Sequence, residues 1–322
     1  MGAASRPAWS GPVRYVAGRI GQAVLSIAGV SVIVFVVLRL SGDPSRLLVP
    51  QNASAADVAR IRHQLGLDQP IWVQFGHYVA ELLHGDLGYS YVQHRPALDL
   101  ILERLPFTID LAIAALVLSL LVGVPAGMVS ALYRNRLPER LLMPMVLVGQ
   151  SMPAFWTGIL LILLLSVRLR LLPSTGFEGV PSLIMPAVTL ASLSMATLAR
   201  ITRSSFLEQL DQDYVRTARA KGAGTLRLLG RHLLRNASIP IVTLAGLELA
   251  SLLGGAVITE TIFAWPGIGQ LTVQSIEARD FPVVQAIVLF VATVYIAVNL
   301  LVDLLYGLID PRASLMTSEA AA

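Results

Sequence analysis

Residues 281–302 read FPVVQAIVLFVATVYIAVNLLV and contain no charged side chain. A helix needs about 20 mainly apolar residues to cross a hydrocarbon core of about 30 Å, so this stretch predicts a membrane-spanning helix. Backbone polar groups in lipid must be satisfied within helices or closed barrels, and the run lacks the alternation of a barrel strand. Similar runs occur at residues 20–38, 111–133, 141–167, 179–199 and, interrupted only by Glu248, 236–259. The sequence therefore predicts an all-α integral membrane protein with six transmembrane helices.

The composition supports a membrane location for the whole chain. Of the 322 residues, 55% are hydrophobic and only 14% are charged, against about 25% charged in ordinary globular proteins. Such a chain can hide its surface only in lipid, which excludes a cytosolic enzyme. The formal charge of +4 gives no argument for nucleic-acid binding. The absence of Cys excludes disulfides, thiolate metal sites and Cys catalysis.

The distribution of Arg and Lys predicts that both termini are cytoplasmic. With the N-terminus inside, fifteen positive residues lie in cytoplasmic segments and three lie outside, when the long segment after the first span is set aside. The first apolar run is followed by Arg39 instead of a small-residue cleavage site, so it is expected to stay as an anchor. The predicted organisation is a cytoplasmic N-terminus at 1–19, a first transmembrane helix at 20–40, an extracytoplasmic helical segment at 41–105, a five-helix core at 106–312 with a cytoplasmic loop at 203–236, and a cytoplasmic tail at 313–322.

The extracytoplasmic segment is expected to form a small helical cap. Ser54 followed by Asp57 has the pattern of a capping box, and Gly66 is expected to end the helix that follows. A second helix is predicted to begin near Pro70 and end near Gly85, with four side chains directed inward, namely Ile71, Phe75, Val79 and Leu82. A third is predicted to start at Pro96 and to continue into the second span.

Four of the five histidines lie in this segment. Imidazole is a ligand for zinc or nickel, so a metal site is one interpretation. The spacings contain no i, i+4 pair and no recognised ligand pattern, so surface or capping roles are favoured and no metal site is assigned. The four are His63, His77, His84 and His94.

The most informative stretch of the cytoplasmic loop is QDYVRTARAKGAG, residues 212–224. Asp213 stands at the predicted start of a short helix, where the helix dipole favours negative charge. Residues 214–221 form its body, and Gly222 is expected to end it because a left-handed C-cap favours Gly. Ala218 and Ala220 are expected to keep part of the helix narrow enough to enter a groove of another protein.

A second loop helix is predicted after Thr225. Its apolar face would carry Leu226, Leu229 and Leu233, and its basic face would carry Arg227, Arg231 and Arg235. Such a helix suits solvent exposure, anionic headgroups or an acidic partner, and the charge run alone does not choose among them.

The two segments YVRTARAKGAG at 214–224 and RHLLRNASIPIV at 231–242 resemble the cytoplasmic loop of binding-protein-dependent ABC importer permeases. The closest resemblance is to the B-type subunit of the dipeptide, oligopeptide and nickel group. The general pattern of that loop, E-A-A-x-x-x-G, appears here at residues 216–222 without its first Glu. Further segments resemble the same family: LSGDPSRLL at 40–48, LGLDQPIWVQF at 65–75, HGDLGYSY at 84–91, ERLPFTIDLA at 103–112, GGAVITETIFAWPGIGQL at 254–271, RDFPVVQA at 279–286 and NLLVDLLYGLIDPR at 299–312.

This resemblance implies a multi-pass subunit of the bacterial cytoplasmic (inner) membrane, driven from outside the chain. The implied partners are a C-type permease that forms a heterodimer with it, two cytoplasmic ATPase subunits, an extracytoplasmic solute-binding protein and membrane lipid. No cofactor is expected on this chain, because ATP and Mg²⁺ belong to the ATPase subunits. The implied ATPase-coupling helix comprises Asp213, Tyr214, Val215, Arg216, Thr217, Ala218, Arg219, Ala220, Lys221 and Gly222.

The sequence itself contains no motif for catalysis. A phosphate-binding loop requires Lys followed by Ser or Thr, whereas the only Lys, Lys221, precedes Gly222. No metalloprotease or esterase motif is present, so no catalytic residue is assigned. The chain is therefore predicted not to be an enzyme.

Acidic residues within or near the spans are the remaining candidates for a site. Glu248 lies midway along the fifth span, where a charge costs roughly 2.5 to 3.5 kcal/mol on insertion scales, so it is expected to face a translocation pathway or a polar partner on another helix. Glu260, near the outer mouth, is a second pathway candidate that would contact cargo or the binding protein. Asp303 and Asp310 are expected to pair with basic residues of the loop such as Arg227 and Arg231.

Peptide is the favoured cargo, with nickel chelates, glutathione or another small solute as alternatives. A different class of protein, a proton-coupled secondary transporter, would use Glu248 and Asp303 as a relay, and would require inverted repeats that the sequence does not display. A membrane-embedded scaffold without transport activity is a third hypothesis.

Overall fold

The computed structural model describes residues 10–40, 45, 49, 53–64, 66–222, 224, 228 and 233–309. All regular elements of these residues are helices, and Tyr89 and Pro96 form an isolated antiparallel bridge. The helices are α1 Ser10–Leu40, α2 Ala55–Gln64, α3 Ile71–Leu83, α4 Ala97–Leu132, α5 Leu137–Ser151, α6 Ala154–Leu161 continued by a π-helix Ile162–Arg168, α7 Val180–Leu210, α8 Asp213–Ala220, α9 Leu234–Gly255, α10 Val257–Ile262, α11 Ile268–Glu277 and α12 Phe281–Ile309.

Five helices in the described part of the chain are long and apolar enough to cross a membrane, and they match five of the six predicted spans. Their apolar segments are Gly18–Val37, Ala97–Leu132, Val180–Leu210, Leu234–Gly254 and Phe281–Leu301. The all-helical membrane fold predicted from the charge-free runs is thereby confirmed.

The remaining predicted span, 141–167, is not one straight helix. It consists of α5 and α6 with its π-helical extension, and the two parts are bent by 102°. The break falls at Met152, which is extended with φ −87° and ψ 132°, directly before Pro153. Proline has no N–H and disfavours the α conformation of the residue before it, so the helix ends there. Pro144, by contrast, lies inside α5.

The chain divides into two compact units. The first comprises residues 1–106 and 267–322. In it α1 and α11 pack against α12, and its core contains Ala97, Leu100, Ile101, Ile268, Leu271, Val283, Ala286 and Ile287. The buried carboxylate of Asp280, just before α12, accepts hydrogen bonds from the hydroxyl of Ser90 and from the N–H of Tyr91, the latter at 3.1 Å. Burial raises the pKa of the Tyr91 hydroxyl.

The second unit comprises residues 107–266. Here α7 packs against α5, α6 and α9, and α4 approaches α7 closely at two glycines. A Cβ atom at Gly127 would lie 2.5 Å from the carbonyl oxygen of Ala199, and one at Gly123 would lie 2.7 Å from that of Met195. Only glycine permits these contacts, so the small-xxx-small pair serves close helix packing.

The helices predicted between the first two spans are confirmed. The N–H of Asp57 donates to Ser54 Oγ at 3.3 Å, and the N–H of Ser54 donates to Asp57 Oδ2 at 3.3 Å, which is a reciprocal capping box. Gly66 has φ +62°, as expected of a residue that ends a helix. One expectation is wrong, because Ile71 is 52% exposed instead of facing inward.

Candidate functional site

Helix α8 is the predicted coupling helix, and the structure forms it between Asp213 and Ala220. It follows α7 after a two-residue turn in which Gln212 O accepts the N–H of Val215 at 3.0 Å. Gly222, with φ +79°, ends the segment as predicted. An ion pair between Arg216 and Asp213 at 3.6 Å is largely exposed and therefore contributes little to stability.

One face of α8 is buried in an apolar cluster. Val215 is fully buried, and Tyr214 and Ala218 are packed against the same cluster. The hydroxyl of Tyr214 also donates to Gln209 Oε1 at 2.8 Å. The other buried members come from α4, α7, the loop and α9, and are Ala131, Leu198, Phe206, Leu228, Leu233, Ala237 and Ile241. We call this set, with Val215, the anchoring cluster.

The opposite face of α8 is open. Arg216, Thr217, Ala220 and Lys221 are all exposed. Ala220 is exposed and Ala218 is only partly exposed, so the two small residues do not share a face, and the expectation that they let the helix enter a groove of another protein stays a prediction. The reason is helical geometry: Val215 and Ala218 are three residues apart and face the same side, while Ala220 is turned away. The side chain of Arg219 is not among those that the structure describes.

An ion pair at the ends of α5 and α7 escaped the sequence analysis. Arg203 donates from Nε to Glu139 Oε1 at 2.6 Å, and its Nη2 lies 2.5 Å from the same oxygen. The N–H of Asn135 donates to Glu139 Oε2 at 2.5 Å. Asn135 adopts φ +62°, a conformation that Asn tolerates better than most residues. In the sequence, the one feature that pointed to this pair was Glu139 itself, an acidic residue in the first turn of a helix in a chain with few charges.

Glu248 lies within α9 and contacts a neighbouring helix. The hydroxyl of Ser194, in α7, donates to Glu248 Oε2 at 2.5 Å, and Glu248 itself is partly buried. The expected polar partner is therefore present.

Glu260 does not occupy the accessible position expected of it. It is fully buried in α10, and the hydroxyl of Thr108 donates to its Oε1 at 2.8 Å. The indole N–H of Trp265 donates to the carbonyl of Phe107 at 2.9 Å, and the Trp265 ring packs edge to face with the rings of Phe107 and Phe177. The carboxylate is paired inside the unit, and its expected contact with cargo or a binding protein stays a prediction.

The remaining predicted positions give partial outcomes. Arg227, Arg231 and Asp310 lie outside the described residues, as does the side chain of Asp303, so their ion pairing stays a prediction.

The histidines of the segment at 41–105 make contacts of their own. His63 Nδ1 lies 2.6 Å from Asp68 Oδ2, a contact that raises the pKa of His63. His84 contacts the carbonyl of Ala80 at 2.7 Å. Among the residues that the structure describes, no three acidic or histidine side chains form a group that would hold a metal ion.

Comparison with known proteins gives consistent matches along the chain. The family described as binding-protein-dependent transport system inner membrane component matches residues 123–315. The family describing the N-terminal part of such membrane components matches residues 12–112. The glutathione transport system permease protein GsiC of Escherichia coli O6:H1 is 44% identical over 300 residues, which cover 93% of this chain and 98% of that protein.

A second relative is the probable D,D-dipeptide transport system permease protein DdpB of Escherichia coli K12. It is 45% identical over 319 residues, covering 90% of this chain and 94% of DdpB. Among solved structures, an inward-facing form of the MetNI methionine ABC transporter matches with a TM-score of 0.56 at 18% identity, over 66% of this chain and 96% of that one. This likeness supports the fold alone.

Proposed function

The chain belongs to the inner membrane components of binding-protein-dependent transport systems, and on that premise we propose that it forms half of a pathway for peptides. It is a multi-pass permease subunit of an ABC importer in the inner membrane, and it is not an enzyme. In the proposed assembly a C-type permease supplies the other half of the pathway. Two ATPase subunits bind ATP and Mg²⁺ on the cytoplasmic side, and a binding protein delivers cargo on the other side.

The observation that carries this proposal is the division of α8 into two faces. Its buried face joins α4, α7 and α9 through the anchoring cluster, and these three helices each contain a membrane-spanning segment. Its open face is available to another protein. A displacement of α8 therefore moves the ends of three spans, because close-packed interiors transmit strain instead of absorbing it.

The proposed mechanism is alternating access. The ATPase subunits would bind the open face of α8. They would favour one arrangement of the spans when ATP is bound and the other arrangement after hydrolysis. Such coupling requires a difference in binding free energy between the two arrangements, since a partner that binds both equally shifts neither.

The Arg203–Glu139 pair extends the proposed connection to α5. Arg203 lies in the part of α7 that precedes Phe206, a member of the anchoring cluster. Glu139 stands in the first turn of α5, the first half of the bent pair. We assign this pair a positioning role, in which movement of the end of α7 is passed to α5.

The names of the two relatives divide between the favoured cargo and an alternative. The one named for a D,D-dipeptide supports peptide cargo, and the one named for glutathione supports glutathione as the alternative. Both solutes carry a free amino group, which the carboxylate of Glu248 would attract in the proposed pathway. Nickel chelates and other small solutes are further alternative cargoes for the same machinery.

Reconstitution tests this proposal. Proteoliposomes containing this chain with its partner permease, both ATPase subunits and the binding protein are supplied with labelled dipeptide, glutathione and a nickel chelate. We expect uptake of at least one peptide that requires ATP and is unaffected by a proton uncoupler. Uptake that follows a proton gradient without ATPase subunits would support the secondary transporter instead. A scaffold would leave the ATPase rate unchanged when cargo-loaded binding protein is added.

A further inference from the structure

Helix α3 carries an apolar stripe that the protein leaves uncovered. Trp72 is 73% exposed and Leu83 is 82% exposed. Gly76 and the partly buried Val79 lie between them on the same side, because residues separated by four, three and four positions fall on one face of a helix. His77, Glu81 and His84 are exposed on the other side of α3.

The remaining apolar side chains of α3 fasten it to the end of α1. The ring of Phe35 packs edge-on to Phe75 with centroids 5.2 Å apart, and stacks on Tyr78 at 5.7 Å. The guanidinium of Arg39 lies over the Phe35 ring, 5.3 Å from the ring centroid. All of these residues belong to the first compact unit.

These contacts place α3 at the level where a membrane span ends. Phe35 is in the last turn of the apolar segment Gly18–Val37, and Arg39 stands two residues after its end. Only 17% of the most apolar window of that segment is buried within the chain, and Ile33 and Val37, beside Phe35, are 63% and 52% exposed, so this part of α1 offers an apolar surface to lipid. The α3 helix has 13 residues, or about 20 Å at 1.5 Å per residue, too short to span the bilayer.

We propose that α3 lies in the membrane interface with Trp72 and Leu83 in contact with lipid. Trp is favoured at this level because its ring is apolar while its N–H prefers a polar neighbour. An amphipathic helix of this kind places its apolar face roughly 5–10 Å into the boundary between headgroups and acyl chains. The polar face would point to the aqueous phase. The helix contains no Lys or Arg, so lipid contact comes from apolar burial and not from attraction to anionic headgroups.

This surface belongs to the first compact unit, whereas the coupling helix belongs to the second. Contact of this stripe with lipid would give the segment at 41–105 a second attachment to the membrane, in addition to α1. A binding protein or a partner permease covering the same stripe is the competing occupant, and the test below distinguishes it from lipid.

The natural absence of Cys makes the test direct. Single-Cys variants Trp72→Cys and Leu83→Cys, with His77→Cys and Glu81→Cys as matched controls on the polar face, are spin-labelled. The complete complex is reconstituted in vesicles of phosphatidylethanolamine, with and without phosphatidylglycerol. Collisions of each label with oxygen and with a water-soluble nickel chelate are then measured.

We expect labels at 72 and 83 to collide more with oxygen than with the nickel chelate, and labels at 77 and 81 to show the reverse. The depth of the first two should be roughly 5–10 Å and unchanged by phosphatidylglycerol. Equal access of nickel at all four positions would overturn the proposal. So would labels at 72 and 83 that are immobilised and shielded from both reagents, because that result identifies a protein partner.

A second measurement does not depend on the folding of the spin-labelled variants. Lipids with brominated acyl chains quench nearby Trp emission, and the chain has four Trp residues. The Trp72→Tyr variant keeps an aromatic ring at this position. We expect it to lose a clearly smaller fraction of its Trp emission in brominated vesicles than the unmodified chain does. Equal quenching of the two proteins would contradict lipid contact at Trp72.

Discussion

Arg203 of α7 and Glu139 of α5 lie 64 residues apart in the sequence, and two nitrogens of the Arg203 guanidinium reach one carboxylate oxygen of Glu139. Their side chains are only 30% and 12% exposed. The pair therefore fastens the start of the bent α5–α6 pair to the end of α7, from which the coupling helix continues. A connection between two elements of this kind should affect both stability and transport.

The Glu139→Gln variant keeps the size of the side chain and removes its charge. We expect the free energy of unfolding to fall by about 2 kcal/mol, between the small value of an exposed pair and the 3–5 kcal/mol of a fully buried one. Thermal unfolding of the purified chain in detergent measures this change. The control is Asp213→Asn, which breaks the exposed pair with Arg216 and should change stability by less than about 0.5 kcal/mol. Equal effects of the two variants would contradict the assignment.

The two alanines of α8 should respond differently to a bulky substitution. Ala218→Trp inserts a ring against the anchoring cluster, so we expect a lower unfolding temperature as well as loss of uptake, since overpacking typically costs about 1–3 kcal/mol. Ala220→Trp places the ring on the open face, and we expect normal stability with loss of uptake. Unfolding and ATP-dependent uptake are measured on the same preparations. Loss of stability in Ala220→Trp, or normal uptake by it, would refute the division of faces.

Variants of Ser194 and Glu248 distinguish a role of Glu248 in helix packing from a role in cargo binding. Ser194→Ala should lower the free energy of unfolding by about 0.6 kcal/mol, the average for hydrogen bonds between membrane helices, and by no more than about 1.7 kcal/mol. Glu248→Gln can still accept the Ser194 hydroxyl, so we expect little change in stability. If Glu248 attracts the cargo amino group, uptake of a free dipeptide should fall in Glu248→Gln while uptake of its N-acetylated form does not. An equal fall in uptake of both peptides would show that Glu248 acts in helix packing and not in binding the amino group.

The buried Glu260 predicts a stability effect without a change in cargo preference. Thr108→Val is similar in shape and removes one hydrogen bond to the carboxylate, which should cost about 1.5–3 kcal/mol. Thr272→Val is the control, because the Thr272 hydroxyl only donates to the carbonyl of Ile268 within its own helix, at 2.8 Å. Thermal unfolding and competition between dipeptide and glutathione are measured on both variants. A Thr108→Val variant with altered cargo preference and normal stability would place Glu260 in the pathway after all.

Local patterns predicted the helices and their ends well. The Ser54–Asp57 capping box, the α8 helix and its end at Gly222 depend on residues within one turn of each other, and each formed as expected. The span at 141–167 was defined by its lack of charged residues, and this criterion gives no information on the extended conformation that Pro153 imposes on Met152.

Positions that depend on distant contacts were predicted less well. The Arg203–Glu139 pair was not predicted, because nothing in the spacing of these residues indicates that α5 and α7 meet there. Glu260 was expected near a surface from its place at the end of a span, whereas Thr108, 152 residues away in the sequence, pairs with it inside the unit. Ala218 was grouped with Ala220 by size, although helical periodicity directs it to the side of Val215.

The most direct test of the account uses the open face of α8 in the assembled transporter. Ala220→Cys and Thr217→Cys, each the only Cys in the chain, are labelled with a photoreactive benzophenone maleimide, and Leu83→Cys serves as the control. After illumination we expect positions 217 and 220 to form adducts with the ATPase subunits in parallel with loss of uptake, and position 83 to form none. Complexes that import peptide normally while 217 and 220 fail to crosslink to any ATPase subunit would contradict the central claim.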